Sequence, residues 1–450
     1  MTPSAILLVG AYLSLTIPTV NALTLSEIPS YVKGHNEEVR AALKDREAAE
    51  HGVWAARGRY LPSLGIRASY IHLGEDIQLK LPPKDFTILS TTITVDLPPL
   101  SIQKQDFVLA NAVLTWPIFT GGRITAGLDA AKAQSREAEA SHEKVTDDKI
   151  QEAMERYFSV QLARECLEIL GRLKEDLDRI RGISDTLVKR GLGAKFSVLQ
   201  VKVAQADLQS RIAEATGKAQ LADLAFKTTT GHESVSTVKY ETPLVKSAMP
   251  AKVDLFKTQS LQKRREFAIL KAKADQVDAL KAAHTGEMLP AVLAVGSHNL
   301  YSHQLPLIQP QWAVGIVVDI PLTAFATSLP ERQRAARLAE KVEILSTRAK
   351  QEIPLQIEKI YTELSASEAG YQALQESIGM AKEALRLAEV RFKNGDGSGI
   401  EILRAATDYE TVQIKRIRLI EEFNRKLIEL YTASGDVGQF IPAYEAALKK

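Results

Sequence analysis

The feature that most constrains this chain is a repeat held at a fixed offset. Trp116-Pro117-Ile118 ends an apolar segment, and Ile320-Pro321-Leu322 does the same 204 residues later. Lys189-Arg190-Gly191-Leu192-Gly193 interrupts helical sequence, and Lys393-Asn394-Gly395-Asp396-Gly397 interrupts it again 204 residues on. Two landmarks that keep one offset fix the length between them, so both halves hold the same elements there. Upstream, Leu61-Pro62-Ser63 matches Leu289-Pro290-Ala291 at an offset of 228. The difference of 24 residues places an insertion between Leu73 and Phe107, expected to be a long Pro-rich loop joining two strands. Each half therefore reads helix, strand, loop, strand, long helix, tight turn, long helix. The leading helices are expected at Ile28–Arg59 and Val253–His284.

The strands carry a second constraint. From Gln311 to Ile320, Trp312, Val314, Ile316, Val318 and Ile320 fall on one face, and Gln311, Ala313, Gly315, Val317 and Asp319 on the other. Alternation over about ten residues is the length of a membrane-crossing strand. In the first half Val108, Ala110, Ala112, Leu114 and Trp116 repeat the apolar face, with Asn111 and Thr115 opposite. Leu64, Ile66, Ala68 and Tyr70 alternate with Gly65, Arg67 and Ser69. The strand Val292–Tyr301 is expected to be short, because His298 falls on its apolar face. A half-buried soluble sheet alternates in the same way. The aromatic strand ends (Tyr60, Trp116, Phe119, Trp312) favour lipid. Four strands cannot close a barrel, and open edges in lipid leave backbone groups unpaired, so the chain is expected to oligomerise.

The N-terminus agrees with export. An apolar run from Ala5 to Val20 leads into Val20-Asn21-Ala22, read as a signal peptide cleaved after Ala22. No Lys or Arg precedes the run, which is atypical. The alternative is a short anchor helix, but the run is shorter than the ~20 residues a spanning helix needs. The single cysteine, Cys166, excludes an intrachain disulfide and reads as a helix-packing residue. A net charge of +2, with acids and bases interleaved along helices, gives no reason to expect nucleic acid.

The helices are too long for a globule. The stretch from Gly122 to Lys189 has no proline. At 1.5 Å per residue it would span on the order of 100 Å. Leu170, Leu173, Leu177, Ile180, Ser184 and Leu187 form a heptad seam, and Ala126, Ala130, Ala131, Ala133, Ala138 and Ala140 allow close packing nearer the strands. The second long helix contains Pro354, so a bend or break is expected near Ile353.

These residues carry a resemblance. Leu114-Thr115-Trp116-Pro117-Ile118-Phe119-Thr120-Gly121-Gly122-Arg123, leading into an alanine-rich helix, resembles the TolC-type outer-membrane efflux channels. So does Val390-Arg391-Phe392-Lys393-Asn394-Gly395 followed by Ile400-Glu401-Ile402-Leu403. The resemblance implies an α+β membrane protein with an internal two-fold repeat. It would be a homotrimer whose β-barrel takes four strands per protomer and continues as an α-helical barrel of coiled-coil hairpins. The organisation would be a signal peptide over 1–22, an N-terminal helix over 23–60, a first β-hairpin over 61–116 and a helical hairpin over 117–230. A linker over 231–251, a helix over 252–289, a second β-hairpin over 290–321, a second helical hairpin over 322–437 and a tail over 438–450 would follow. The chain would be a passive exit duct in the outer membrane of a Gram-negative bacterium, its helices in the periplasm. Its partners would be a periplasmic adaptor and an inner-membrane transporter.

The resemblance also assigns sites. The turns at Gly191, Leu192, Gly193 and at Gly395, Asp396, Gly397 would meet the adaptor. Glu401, Arg404, Phe392 and Ser197 would lie at the periplasmic aperture, where Arg404 departs from the family's usual carboxylate; by spacing alone, Arg404 stands one helical turn from Glu401 and could pair with it. Trp312, Val314, Ile316, Val318, Ala110, Leu114 and Trp116 would face lipid. A protein-secretion duct and a pore-free coiled-coil scaffold are the competing readings; the strands argue against the scaffold.

Catalytic chemistry is not expected. The glycines of the two turns follow no strand and precede no Gly-Lys-Ser, so they read as hairpin turns rather than a phosphate loop. His298 and His303, expected on a loop, read as solvated side chains rather than metal ligands. No cofactor is implied.

Overall fold

A computed structural model describes residues 21–449 except 89–90, 97, 192–194, 232–237, 251 and 304–309. The apolar run of the expected signal peptide, Leu192 and Gly193 lie outside the described residues. In chain order the elements are β1 (Asn21–Leu23), α1 (Ile28–His35), α2 (Glu37–Gly58), β2 (Ser63–His72), β3 (Ile77–Leu79), β4 (Lys84–Ile88), β5 (Thr91–Val95), β6 (Leu100–Gln103) and β7 (Asp106–Phe119). They continue as α3 (Arg123–Lys189), α4 (Lys195–Thr230), β8 (Val238–Tyr240), α5 (Val253–Lys263), α6 (Arg265–Gly286), β9 (Ala291–His303), β10 (Trp312–Asp319), α7 (Phe325–Asn394), α8 (Gly399–Ala433) and α9 (Phe440–Leu448). The protein is thus mostly helical with a small sheet. Among the described residues no helix is long and apolar enough to cross a membrane.

The chain divides into two compact units. One is drawn from 1–45, 139–268 and 346–450, the other from 46–138 and 269–345. The first is held by an aromatic core. Tyr157 and Phe158 on α3, Phe226 on α4, and Phe440 and Tyr444 on α9 are fully buried. Their rings meet edge-on or tilted, with Tyr157 against Phe226 at 5.8 Å and Phe158 against Tyr444 at 5.1 Å. Such pairs add ~0.5–1.5 kcal/mol beyond their buried area. The parallel pair β1–β8 lies over this core. Tyr157 Oη accepts from Thr242 N at 2.9 Å, and Val245 N donates to Tyr444 Oη at 2.9 Å. Asn424 accepts from Ser247 N at 3.1 Å and donates to Val245 O at 2.7 Å. The described part of the expected linker is therefore stitched down residue by residue. The expected tail likewise holds a buried helix, α9.

The heptad seam forms a second cluster in the same unit. Leu170, Leu173, Leu177 and Ile180 pack with Val201, Leu208, Leu385, Phe392, Ile402 and Ala406. Ser184, where the heptad lacks a leucine, turns its hydroxyl back to Ile180 O at 2.9 Å. That bond removes the cost of burying it.

The second unit holds a four-stranded antiparallel sheet in the order β10-β9-β7-β2. Helix α3 approaches α6 there through alanines: Ala126, Ala133, Ala272 and Ala279 are all buried. Arg136 Nη2 meets Asp275 Oδ2 at 2.8 Å beside them.

Several expectations need correction. The insertion after Leu73 is not a plain loop. Its residues pair as the ribbons β3–β6 and β4–β5, because short Ile/Thr/Val runs between the prolines still favour extended pairing. Each leading helix is two helices. Asn36 (φ −65°, ψ 127°) and Arg264 (φ −68°, ψ 130°) break them with extended backbone, and Asn36 Oδ1 recaps α2 by accepting from Val39 N at 3.0 Å. These breaks stand 228 residues apart, the offset that relates Leu61-Pro62 to Leu289-Pro290. Helix α7 is continuous through Pro354, so no break occurs near Ile353. Strand β9 runs past His298 to His303, so it is not short and both histidines are on a strand, not a loop.

Candidate functional site

Register places the expected lipid-facing residues on one face of the sheet. Val314 pairs with Gly296, Gly296 with Leu114, and Leu114 with Leu64. Ile316 pairs with Ala294, and Ala294 with Trp116. A Cβ on Gly296 would touch Leu114 and Val314 at 3.7 Å each, so these rows share a face. Trp312, Ala112 and Ile66 align with His298 in the next row, and Ala110 with Ala68 and Tyr301 beyond it. Apart from His298 this face is apolar, and among the described residues nothing covers it. Leu64 is 74% exposed, Ile66 75%, Val314 76% and Ile316 73%. An apolar patch of this extent does not stay bare in water. Among the described residues, strands β2 and β10 each have one neighbour within the sheet, so both outer edges are open.

The junction from β7 into α3 explains the Thr-Gly-Gly-Arg motif. The strand runs through Pro117 to Phe119, further than the expected break at Trp116. Gly121 then takes φ +64° and Gly122 φ +83°. A Cβ on Gly121 would overlap the Gly286 carbonyl oxygen, and one on Gly286 would overlap that of Gly121. Two backbones therefore meet at a point only glycine fits. Trp116 Nε1 donates to Tyr60 O at 3.1 Å, and Tyr60 Oη donates to Thr125 Oγ1 at 2.9 Å.

The helical turns are built differently from one another. Gly191 takes φ +73° and donates its N–H to Val188 O at 3.1 Å. Gly395 takes φ +79°, and Asp396 and Gly397 both donate to Arg391 O, at 3.0 and 3.1 Å. Ser398 then caps α8, its Oγ accepting from Glu401 N at 3.3 Å. The expected Glu401–Arg404 pair does not form. Glu401 Oε2 lies 3.5 Å from Arg391 Nη1 instead, since the turn carries Arg391 back beside the first turn of α8. Phe392 does not face outward. It is 4% exposed and packs in the heptad cluster. Ser197 on α4 sits against Gly399, where a Cβ would come within 2.9 Å of the serine Cβ. Arg404 is exposed.

Sequence reasoning missed one feature of this unit. A cavity of about 360 Å³ lies among α3, α4 and α8, lined by Cys166, Arg211, Lys218 and Arg418 among others. Burial pushes the Cys166 thiol up from its usual range. Cys166 is half-buried on the wall of this cavity. Among the described residues no cluster of His, Cys, Asp and Glu is arranged to hold a metal ion.

This fold is that of the outer-membrane channels. The chain superposes on the CmeC outer membrane channel of Campylobacter jejuni with a TM-score of 0.74, covering 93% of this chain and 88% of that one at 14% identity. Residues 28–232 match the family model for outer membrane efflux proteins. Protein CyaE of Bordetella pertussis is 24% identical over 341 residues, 72% of this chain and 70% of that protein. The cobalt-zinc-cadmium resistance protein CzcC of Cupriavidus metallidurans is 24% identical over 390 residues, 85% of this chain and 83% of that protein. The resemblance to outer-membrane efflux channels, a family of channels rather than enzymes, thus holds in sequence and in fold.

Proposed function

We propose that this chain is an outer membrane efflux protein that works as the passive exit duct of a tripartite pump, carrying small molecules from a periplasmic adaptor and inner-membrane transporter to the exterior. One observation carries the reading: a four-stranded sheet with an exposed, in-register apolar face and two open edges. Strands β2 and β10 run in opposite directions, so β2 of one copy can pair antiparallel with β10 of the next and close the barrel without a free edge. Three copies would give twelve strands with the apolar face to lipid and the other to the lumen. The two halves, related by the offsets of 204 and 228 residues, would form an internal repeat. The turns at Gly191 and Gly395 would be the periplasmic tips that meet the adaptor. Glu401, Ser197 and Arg404 would border the aperture, with Arg391 holding the Glu401 carboxylate at rest.

The test is expression in a Gram-negative host, followed by fractionation, mass determination in detergent and recording in planar bilayers. The expected result is an outer-membrane trimer that conducts. A monomer, or an assembly found only in the soluble periplasmic fraction, contradicts the reading.

A further inference from the structure

The face of the sheet opposite the apolar one is made mainly of small and neutral residues: Gly65 and Ser69 on β2, Val113 and Thr115 on β7, Val295 and Ser297 on β9, Ala313, Gly315 and Val317 on β10. Gly315 confirms that these share a face, since a Cβ there would touch Val295 at 3.9 Å. One level departs from this pattern. Arg67 pairs with Asn111, Asn111 pairs with Asn299, and Asn299 N donates to Gln311 O at 2.7 Å. Four long polar side chains therefore stand in one row across four neighbouring segments. The level coincides with a register shift between Ala110 and Asn111, where β9 inserts one extra residue. Bulges of this kind re-aim side chains. Asn299 Oδ1 has no hydrogen-bond partner among the described residues.

Arg67 is the charged member of the row. On the same face, the other charge within the described strands is Asp319, eight residues along β10 from the Gln311 level. At ~3.3 Å per residue that is about 26 Å away, well beyond the ~8 Å Debye length at physiological salt. Asp319 therefore cannot neutralise Arg67 in water. Placing an arginine on the lipid face would cost roughly 2–4 kcal/mol at mid-membrane, and the alternation puts Arg67 on the other side.

We propose that the Arg67–Asn111–Asn299–Gln311 row is an anion-attracting ring of the lumen, and that Arg67 sets the charge preference of the barrel. This rests on the reading of the sheet as one third of a closed barrel, which multiplies the row by three. The side-chain N–H groups of the amides are the donors that would solvate a passing carboxylate or phosphate, while the guanidinium groups supply the field. The permeants it favours are anionic or zwitterionic small molecules.

The experiment is the reversal potential of the reconstituted channel under a tenfold KCl gradient at low ionic strength. Arg67→Gln should lower the anion-to-cation permeability ratio by about fivefold, because a change of order one kT in lumen potential acts oppositely on the two ions. Arg67→Glu should lower it further, and Arg67→Lys should retain it. Asn111→Asp, which sets a carboxylate directly across from Arg67 without touching it, should shift the ratio in the same direction as Arg67→Gln. The differences should collapse near 1 M salt, where the Debye length is ~3 Å. Conducting channels whose reversal potential ignores both Arg67→Glu and Asn111→Asp overturn this inference alone. Wild-type protein that forms no trimer or no conductance overturns the duct reading and this inference with it.

Discussion

Tyr157 and Phe158 on α3 expose none of their surface, whereas Val314 and Ile316 on β10 expose 76% and 73% of theirs. Both regions are apolar by composition, yet one hides its side chains and the other displays them. The aromatic unit satisfies itself. Its rings interlock, and its polar atoms at Tyr157, Tyr444 and Asn424 bind the chain segment that crosses them. Among the described residues the sheet unit has no helix or second sheet over its apolar face, and two of its edges are unpaired. The contrast is between a unit that buries its apolar side chains within the chain and one that leaves them exposed. On the proposed reading, lipid and neighbouring copies cover what the second unit leaves bare.

The comparison breaks most readily at the aromatic core. Phe158→Ala leaves a cavity among Tyr157, Phe440 and Tyr444. It is expected to cost ~3–5 kcal/mol in chemical denaturation, with or without lipid present. A loss below ~1 kcal/mol would mean that this core is not what holds the unit. Next is the sheet. Ile316→Arg is expected to cost ~2–4 kcal/mol in bilayers and to impair assembly, while Val317→Arg on the opposite face is tolerated. Trimer yield in membranes reads the difference. Equal impairment by the two variants would show that the exposed face is not the lipid face. A smaller effect is expected at the junction. Gly121→Ala forces a left-handed residue and a clash with the Gly286 backbone, and should cost ~1–3 kcal/mol in thermal melts. Gly122→Ala, which meets open space, should cost about 1 kcal/mol or less. Equal losses would assign the strain to φ alone rather than to the Gly121–Gly286 approach.

Much of this was legible in residue order. Alternation gave the strand faces, because a period of two survives whatever lies beyond the strand. Gly191 and Gly395 marked the turns, because left-handed backbone selects glycine. The heptad seam from Leu170 to Ile180 was readable for the same local reason. What was not legible depends on partners distant in sequence. Around Asn36 the local signal, Gly34 and a capping asparagine, was present but weak, and Asn36 Nδ2 also binds Thr229 O at 2.7 Å, a contact 193 residues away; nothing of that kind stands beside Arg264. At Pro354 no break forms, because buried Ile353, Ile357 and Ile360 hold that stretch of helix against the loss of one hydrogen bond. The Glu401–Arg404 pairing failed because spacing on one helix takes no account of a side chain returning from the preceding turn. The tail hid a helix because Phe440 and Tyr444 are anchored by α3, which the last thirteen residues cannot reveal.

The smallest effect belongs to the edge of the aromatic unit, where burial is imperfect. Glu155 on α3 and Glu421 on α8 both titrate above the ordinary carboxylate value of 4.5, chiefly through burial. Arg425 opposes the shift at both sites, its Nε standing 4.0 Å from Glu421 Oε1, and Gln151 Nε2 donates to Glu155 Oε1 at 2.8 Å. Glu152, Glu429 and Glu422 add like charge, and Glu155 itself raises Glu421. The sign follows from proton binding. A carboxyl whose folded value is raised holds its proton more tightly in the folded chain than in the unfolded one. Above the raised value both states are ionised, and the folded state carries the full penalty. As pH falls from there toward 4.5 the folded chain takes up protons first, so this contribution to stability rises. Glu155→Gln and Glu421→Gln remove the penalty. Each should therefore raise stability at pH 7, by no more than about 1 kcal/mol for a half-buried and partly compensated charge, and the gain over wild type should shrink as the medium is acidified toward pH 4.5. Thermal melts of the two variants against wild type across that interval measure it. A gain that does not change with pH, or a loss at pH 7, would show that Arg425 and Gln151 outweigh burial, and that this edge is as well satisfied as the core behind it.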